Sequence, residues 1–168
     1  FVNPRPPSSI LDKFYSSCPS TDFWVKEFFM PMAEARREKI FRPRAEQLSK
    51  LLSISSGKIV GDIGAGFGLF LEELKQIIPE NDFYAIEPSR LMAEILDKKG
   101  LKVINKTFEN VDGHDNFFDV LTAFELMEHI NNPGIFLQRV YASLKPGGIF
   151  VLTTLNGKGF DILLLWEK

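Results

Sequence analysis

K-I-V-G-D-I-G-A-G-F-G-L-F-L, residues Lys58 to Leu71, decides the reading of this chain. Lys58 to Ile63 is apolar and β-branched, the pattern of a strand buried on both faces. Gly64, Ala65, Gly66, Phe67 and Gly68 follow as a turn whose backbone has almost no side-chain cover. Leu69, Phe70, Leu71, Leu74, Ile77 and Ile78 then recur at helical spacing, so a helix opens out of the turn. Strand, glycine turn and helix predict the first unit of an α/β sheet that takes a ligand over the carboxyl end of its strand. Glycines suit such a turn because the chain must bend sharply while its backbone touches the ligand.

The glycine spacing discriminates between ligands. A dinucleotide fingerprint, G-x-G-x-x-G, needs its third glycine three positions after the second. Leu69 stands there, and the third glycine comes early, at Gly68. Asp62 lies two residues before the first glycine, at the strand end. The pattern D-I-G-A-G-F-G resembles motif I of the class I S-adenosylmethionine-dependent methyltransferases. The chemistry agrees: that nucleoside has no pyrophosphate to seat on a helix N-terminus. It brings a sulfonium and an ammonium, which a strand-end carboxylate helps to balance. On this motif alone, a glycine turn without a ligand stays open.

Composition narrows the classes. At 168 residues the chain suits one domain with a real core, and 45% hydrophobic with 25% charged residues argues against disorder. A net charge of −2 gives no global reason to expect nucleic acid. The single Cys18 rules out an intrachain disulfide framework and fits a reducing, cytoplasmic setting. No run reaches the roughly 20 apolar residues of a membrane span, and no signal peptide is visible.

Before the glycine stretch the chain reads as helical. Residues 1–8 are extended by their prolines, and Phe1 suggests an internal fragment. Ser9 with Asp12 predicts an N-cap, with Ile10, Leu11, Phe14 and Tyr15 on the apolar side of a short helix. A second helix starts at Thr21 and carries Phe23, Trp24, Phe28 and Phe29; a third runs from Ala33 to Leu52, kinked or restarted at Pro43. Arg36, Arg37, Lys39, Arg42 and Arg44 read as a solvated basic face in preference to a phosphate site. The aromatic cluster reads as core or as a cap over a pocket.

After it, strands and helices alternate, which predicts a parallel sheet. The expected strands are Asp82 to Ile86, Leu101 to Ile104, Phe117 to Ala123 and Ile149 to Thr153. Helices open at Ser89, which caps the first, and at Pro133-Gly134. Glu87 ends the second strand, about 20 residues past the glycines, where this architecture places an acid that accepts both ribose hydroxyls. Its two oxygens match two donors.

D-I-G-A-G-F-G, A-I-E-P-S, F-D-V-L-T-A-F-E-L-M-E-H-I-N-N-P and L-K-P-G-G occur in the order and spacing of class I methyltransferases. The likeness covers about residues 56 to 156. The E-H pair is especially similar to the branch containing ubiquinone-biosynthesis O-methyltransferases and many sugar- or polysaccharide-pathway methyltransferases. The resemblance implies an α/β Rossmann-like fold, mostly parallel with helices on both faces, over residues 56–168, behind a helical cap over residues 1–55. It implies S-adenosylmethionine as cofactor and methyl transfer by in-line displacement to a small-molecule acceptor: a sugar, a lipid or a quinone-like compound.

The implied contacts follow residue by residue. Asp62, Gly64 and Gly66 meet the aminoacyl end, Glu87 the ribose with Ser89 nearby, Thr107 and Phe108 the adenine, and Phe124 and Glu125 the methyl-donor end, with Ala65, Gly68 and Pro88 also among the cofactor-binding residues. His129 is the candidate base, since histidine titrates near neutrality; packing or capping is the competing role. Glu125, Glu128 and His129 stand at i, i+3 and i+4, so a helix there would present them together to a divalent metal, although many relatives carry E-H without one. An RNA or protein methyltransferase and a non-catalytic cofactor-binding subunit remain as alternatives. The family sheet has seven strands, and the apolar run Ile149 to Leu152 is a poor exposed edge. Further strands are therefore expected beyond Lys168. Oligomeric state is not legible.

Overall fold

The computed structural model describes residues 6–52 and 56–156. Five parallel strands form one sheet: β1 (Ile59–Ile63), β2 (Asp82–Ile86), β3 (Lys102–Ile104), β4 (Phe118–Phe124) and β5 (Leu144–Thr153), in the order β3-β2-β1-β4-β5. The chain winds outward from β1 through β2 to β3, then crosses back to β4 on the other side. That reversal leaves a crevice at the carboxyl ends of β1 and β4, the usual seat of a ligand in such sheets. The register pairs Asp62 with Thr122 and Ile63 with Ile86, so β1, β2 and β4 end at nearly one level.

Alternation along the strands feeds two cores. Val60, Phe83, Ala85 and Val120 pack with Phe70, Leu71 and Leu74 of α5 (Leu69–Ile77) and Leu96 of α6 (Arg90–Lys98). Ile63, Ile86, Leu121 and Ala123 pack with Phe136 and Val140 of α7 (Pro133–Ser143). Helices thus cover both faces, as expected for an α/β Rossmann-like fold. Ser89 caps α6, accepting from the Met92 N–H at 3.4 Å, and Asn132 caps α7, accepting from the Ile135 N–H at 3.1 Å.

The amino-terminal part is helical but differs in detail from expectation. α1 (Ser8–Ser17) follows Pro7 with no side-chain cap, so Ser9 lies inside the helix instead of capping it. α2 (Pro19–Trp24) starts at Pro19, earlier than Thr21, and widens into a π-helical stretch, Val25–Phe29. α3 (Ala33–Arg36), a second π-helical stretch (Arg37–Phe41) and α4 (Arg42–Leu52) make up the third helical region. Pro43 has no N–H to continue the ladder, and the helix widens just before it and resumes. Ala45 and Leu48 of α4 join the core against α5.

Two strand limits also move. Leu101 is buried ahead of the strand and β3 begins at Lys102. β5 begins at Leu144: Phe118 pairs with Leu144 and Val120 with Ile149, so Lys145, Pro146, Gly147 and Gly148 loop out opposite Asp119. Asp119 fastens this end of the sheet, receiving Lys145 Nζ at 2.6 Å, Lys58 Nζ at 3.2 Å and the Ile59 N–H at 2.9 Å. Among the described residues β5 is an edge, with Ile149 and Leu152 exposed. The strands expected beyond Lys168 lie outside the described residues. No helix among the described residues is long and apolar enough to cross a membrane.

Candidate functional site

The turn after β1 bends over the end of β2, with the Gly64 N–H donating to the Ile86 carbonyl at 2.8 Å. Two of its glycines do different work. Gly66 has φ +57, and a Cβ there would meet nothing within 4 Å, so its bare backbone faces open space. Gly68 has φ +80, and a Cβ would lie 2.7 Å from Leu96 Cδ2 and 2.8 Å from Leu101 Cδ1. Gly68 therefore seats the turn on α6, away from the cavity.

Glu87 locks the turn from the other side. Its Oε2 accepts the Gly66 N–H and its Oε1 the Ser89 N–H, both at 2.9 Å. Each oxygen keeps lone-pair capacity for one more donor. Asp62, 4% exposed, accepts Thr122 Oγ1 at 2.6 Å from its ladder neighbour. Burial pushes both acids up, to about 7 for each. Thr122 and the Arg44 charge pull Asp62 back, while Glu87 pushes it up further; the two backbone donors pull Glu87 back.

These groups floor a cavity of about 1200 Å³ whose other walls come from β4 and the amino-terminal helices. Arg44 of α4 lies over the Phe124 ring, 4.3 Å from its centroid, and 3.9 Å from Glu125 Oε1. Phe124 in turn meets Phe70 edge-on at 4.7 Å. Trp24, Phe28 and Phe29 continue the aromatic wall by edge contacts, and Phe29 reaches Phe67 in the turn at a tilted 6.4 Å. Arg37 of the second π stretch binds Glu73 and Glu72 of α5, both at 2.7 Å, and Arg42 binds Glu73 at 2.9 Å. A solvated face was expected; Lys39 is exposed, while Arg37 and Arg42 make ion pairs and Arg36 and Arg44 border the cavity.

Asp62, Gly64, Ala65, Gly66, Glu87, Pro88, Ser89, Thr107, Phe108, Phe124, Glu125 and His129 all border this one cavity. Gly68 does not, for the reason above. Ser89 Oγ is engaged as a cap, and Phe108 is 2% exposed with its ring against Phe136, so both offer the cavity little side chain. Thr107 Oγ1 donates to Asp12 Oδ1 at 3.3 Å, tying α1 to this rim.

The helix that would align Glu125, Glu128 and His129 is not formed. Glu125 has φ +52, its N–H donates to the Thr153 carbonyl at 3.1 Å, and its Oε1 accepts Thr153 Oγ1 at 2.7 Å. Only Met127–His129 make a 3₁₀ turn, and Glu128 accepts Thr154 Oγ1 at 2.9 Å. Among the described residues no group of three His, Cys, Asp or Glu is arranged to hold a metal. Sequence reading missed Arg44 as a cavity residue; its position 20 residues before Gly64 carries no local periodic signal.

A family model described as a methyltransferase domain matches residues 32–166. The chain belongs to this methyltransferase domain family. The ubiquinone biosynthesis O-methyltransferase of Bradyrhizobium sp. (strain ORS 278) is 35% identical over 117 residues, covering 66% of this chain and 45% of that enzyme. The mitochondrial ubiquinone biosynthesis O-methyltransferase of Rattus norvegicus is 32% identical over 110 residues, 60% of this chain and 32% of that one. This methyltransferase domain thus spans under half the length of the curated relatives it matches. Its fold is shared with the plantazolicin methyltransferase BpumL, solved with a pentazolic desmethylPZN analog and SAH (TM-score 0.71, 18% identity, 93% of this chain, 61% of that one). It is shared too with the structure of mmp1179 from Methanococcus maripaludis (TM-score 0.68, 19% identity, 74% of this chain, 59% of that one).

Proposed function

We propose that this chain binds S-adenosylmethionine and directs its methyl group to a small-molecule acceptor with a largely apolar body. One observation carries the reading: two buried carboxylates, Asp62 and Glu87, flank a bare glycine backbone on the floor of a large cavity at the sheet's switch point. A dinucleotide would call for backbone donors aimed at a pyrophosphate. Here the Gly66 N–H is already bonded to Glu87, and the remaining acceptors suit a ribose.

In this reading Glu87 receives the two ribose hydroxyls while its existing bonds hold the turn in place. Asp62 faces the ammonium, and Arg44, whose charge acts on Asp62, faces the carboxylate of the aminoacyl end. Thr107, Phe108, Pro88 and Ser89 border the adenine, and Phe124 and Glu125 the reacting end. The cofactor supplies a sulfonium methyl open to in-line displacement. The protein contributes alignment and exclusion of water by the aromatic cap, both of which act on the barrier directly. His129 borders the cavity and is exposed, so it can take the proton of an acceptor hydroxyl.

The named relatives support a hydroxyl on the acceptor, and the aromatic wall supports its apolar body. Residues 1–55 act as cap and 56–168 as cofactor domain, in the cytoplasm. Thermal-shift titration with adenosylhomocysteine and with NAD tests the proposal. Stabilisation by adenosylhomocysteine alone is the expected result; stabilisation by NAD alone, or by neither, overturns it.

A further inference from the structure

Arg36 stands apart from its basic neighbours. Arg37, Arg42 and Arg44 each have a carboxylate within 4 Å, whereas Arg36 makes no ion pair among the described residues. Its guanidinium lies 5.2 Å from the centroid of Phe29 and 5.4 Å from that of Phe41, and all three residues border the cavity. Contact with two rings steadies the guanidinium, and among the described residues its N–H fork has no protein acceptor. Burial and then the neighbouring Arg44 charge both lower its proton affinity, the signature of a cation whose surroundings lack a counter-charge.

We propose that Arg36 is a specificity residue that receives a carboxylate on the acceptor, whose apolar or aromatic body rests against Phe29, Phe41 and Trp24. The inference rests on the methyltransferase reading of the cavity and names the class of acceptor within it. The planar guanidinium fork matches a carboxylate through two parallel hydrogen bonds. One unshared positive charge balances one negative charge, which favours a carboxylate over a dianionic phosphate ester. Arg44 is partly engaged by Glu125 and, in the reading above, by the cofactor. Arg36 sits on the cap, so it recognises the acceptor without touching the donor.

Isothermal titration of the full chain with 2-naphthoate, its neutral isostere 2-naphthamide and 2-naphthyl phosphate tests this, with and without adenosylhomocysteine. The parent is expected to bind the acid about tenfold tighter than the amide, and the phosphate no tighter than the acid. Arg36→Gln should level acid and amide, and Arg36→Lys should keep part of the difference. Equal or undetectable binding of acid and amide by the parent, discrimination retained in Arg36→Gln, or a preference for the phosphate overturns the proposal. If Arg36→Gln fails to fold, the parent ratio and Arg36→Lys still decide it. A parent that binds adenosylhomocysteine but ignores the carboxylate refutes this inference alone. A parent that prefers the acid yet ignores adenosylhomocysteine refutes the cofactor reading and leaves the anion site standing.

Discussion

The floor and the roof of the cavity are built by opposite means. The floor is backbone: a glycine turn, three strand ends at one level and two acids that the surrounding core desolvates. The roof is side chain: rings meeting edge-on, guanidiniums laid on rings, and arginines reaching across to α5. A floor made of backbone tolerates little change and fits one ligand closely. A roof made of long side chains can be altered residue by residue, so the acceptor is the part of the chemistry free to vary.

The sharpest way to break this contrast is to crowd the floor. Gly68→Val forces a β-branched residue to φ +80 and drives its Cβ into Leu96 and Leu101. A loss of about 4 kcal/mol in urea unfolding is expected; a loss under about 1 kcal/mol would mean the turn is not seated as described. Next, Glu87→Ala should weaken adenosylhomocysteine about 100-fold, roughly 2.7 kcal/mol by calorimetry, since it removes the acceptors proposed for the ribose along with those of the Gly66 and Ser89 N–H groups. Thr107→Ala, at the rim, should change it by less than about threefold. Equal losses would erase the distinction between floor and rim.

Cutting the roof's anchor should cost less. Glu73 is 3% exposed; burial raises its pKa, but the bonds from Arg37 and Arg42 outweigh that and hold it below the usual carboxylate range. Arg37→Ala leaves Arg42 in place, so a loss of about 2 kcal/mol is expected by urea unfolding. This contribution belongs to the pH range above the ordinary glutamate value and fades as pH falls, so the variant should converge on the parent in acid.

The dependence on pH has the opposite sign. Asp62 and Glu87 have folded values raised to about 7 from ordinary values of 3.8 and 4.5. Their contribution to stability is full below the ordinary values and is lost as pH rises through about 7. The ligand-free chain should therefore lose stability on going from pH 5 to pH 8 through these two groups. Adenosylhomocysteine should bind about tenfold tighter at pH 8 than at pH 6, because hydroxyl donors favour the ionised acid. Affinity flat over that range would show that the acids stay charged without the ligand.

Much of the floor was readable because its determinants are local. Asp62, the glycines and Glu87 sit in short patterns whose geometry the backbone imposes, and the structure brings all but Gly68 to the cavity. The roof was not readable in the same way. Arg37 and Glu73 are far apart in the chain, and nothing near Arg37 announces a buried acid. The E-x-x-E-H spacing misled for a related reason. Thr153, from a distant strand, captures Glu125 in a left-handed conformation before a helix can start. Ser9 looked like a cap because its neighbours fit, yet Pro7 already begins the turn two residues earlier.

The four residues that loop out opposite Asp119 work as an expansion joint. Changes of length in that stretch can be absorbed there while Lys145 keeps its grip on Asp119, and the pairing from Val120–Ile149 onward stays in step. The chemistry at the far end of β4 is thereby insulated from whatever happens at the start of the edge strand.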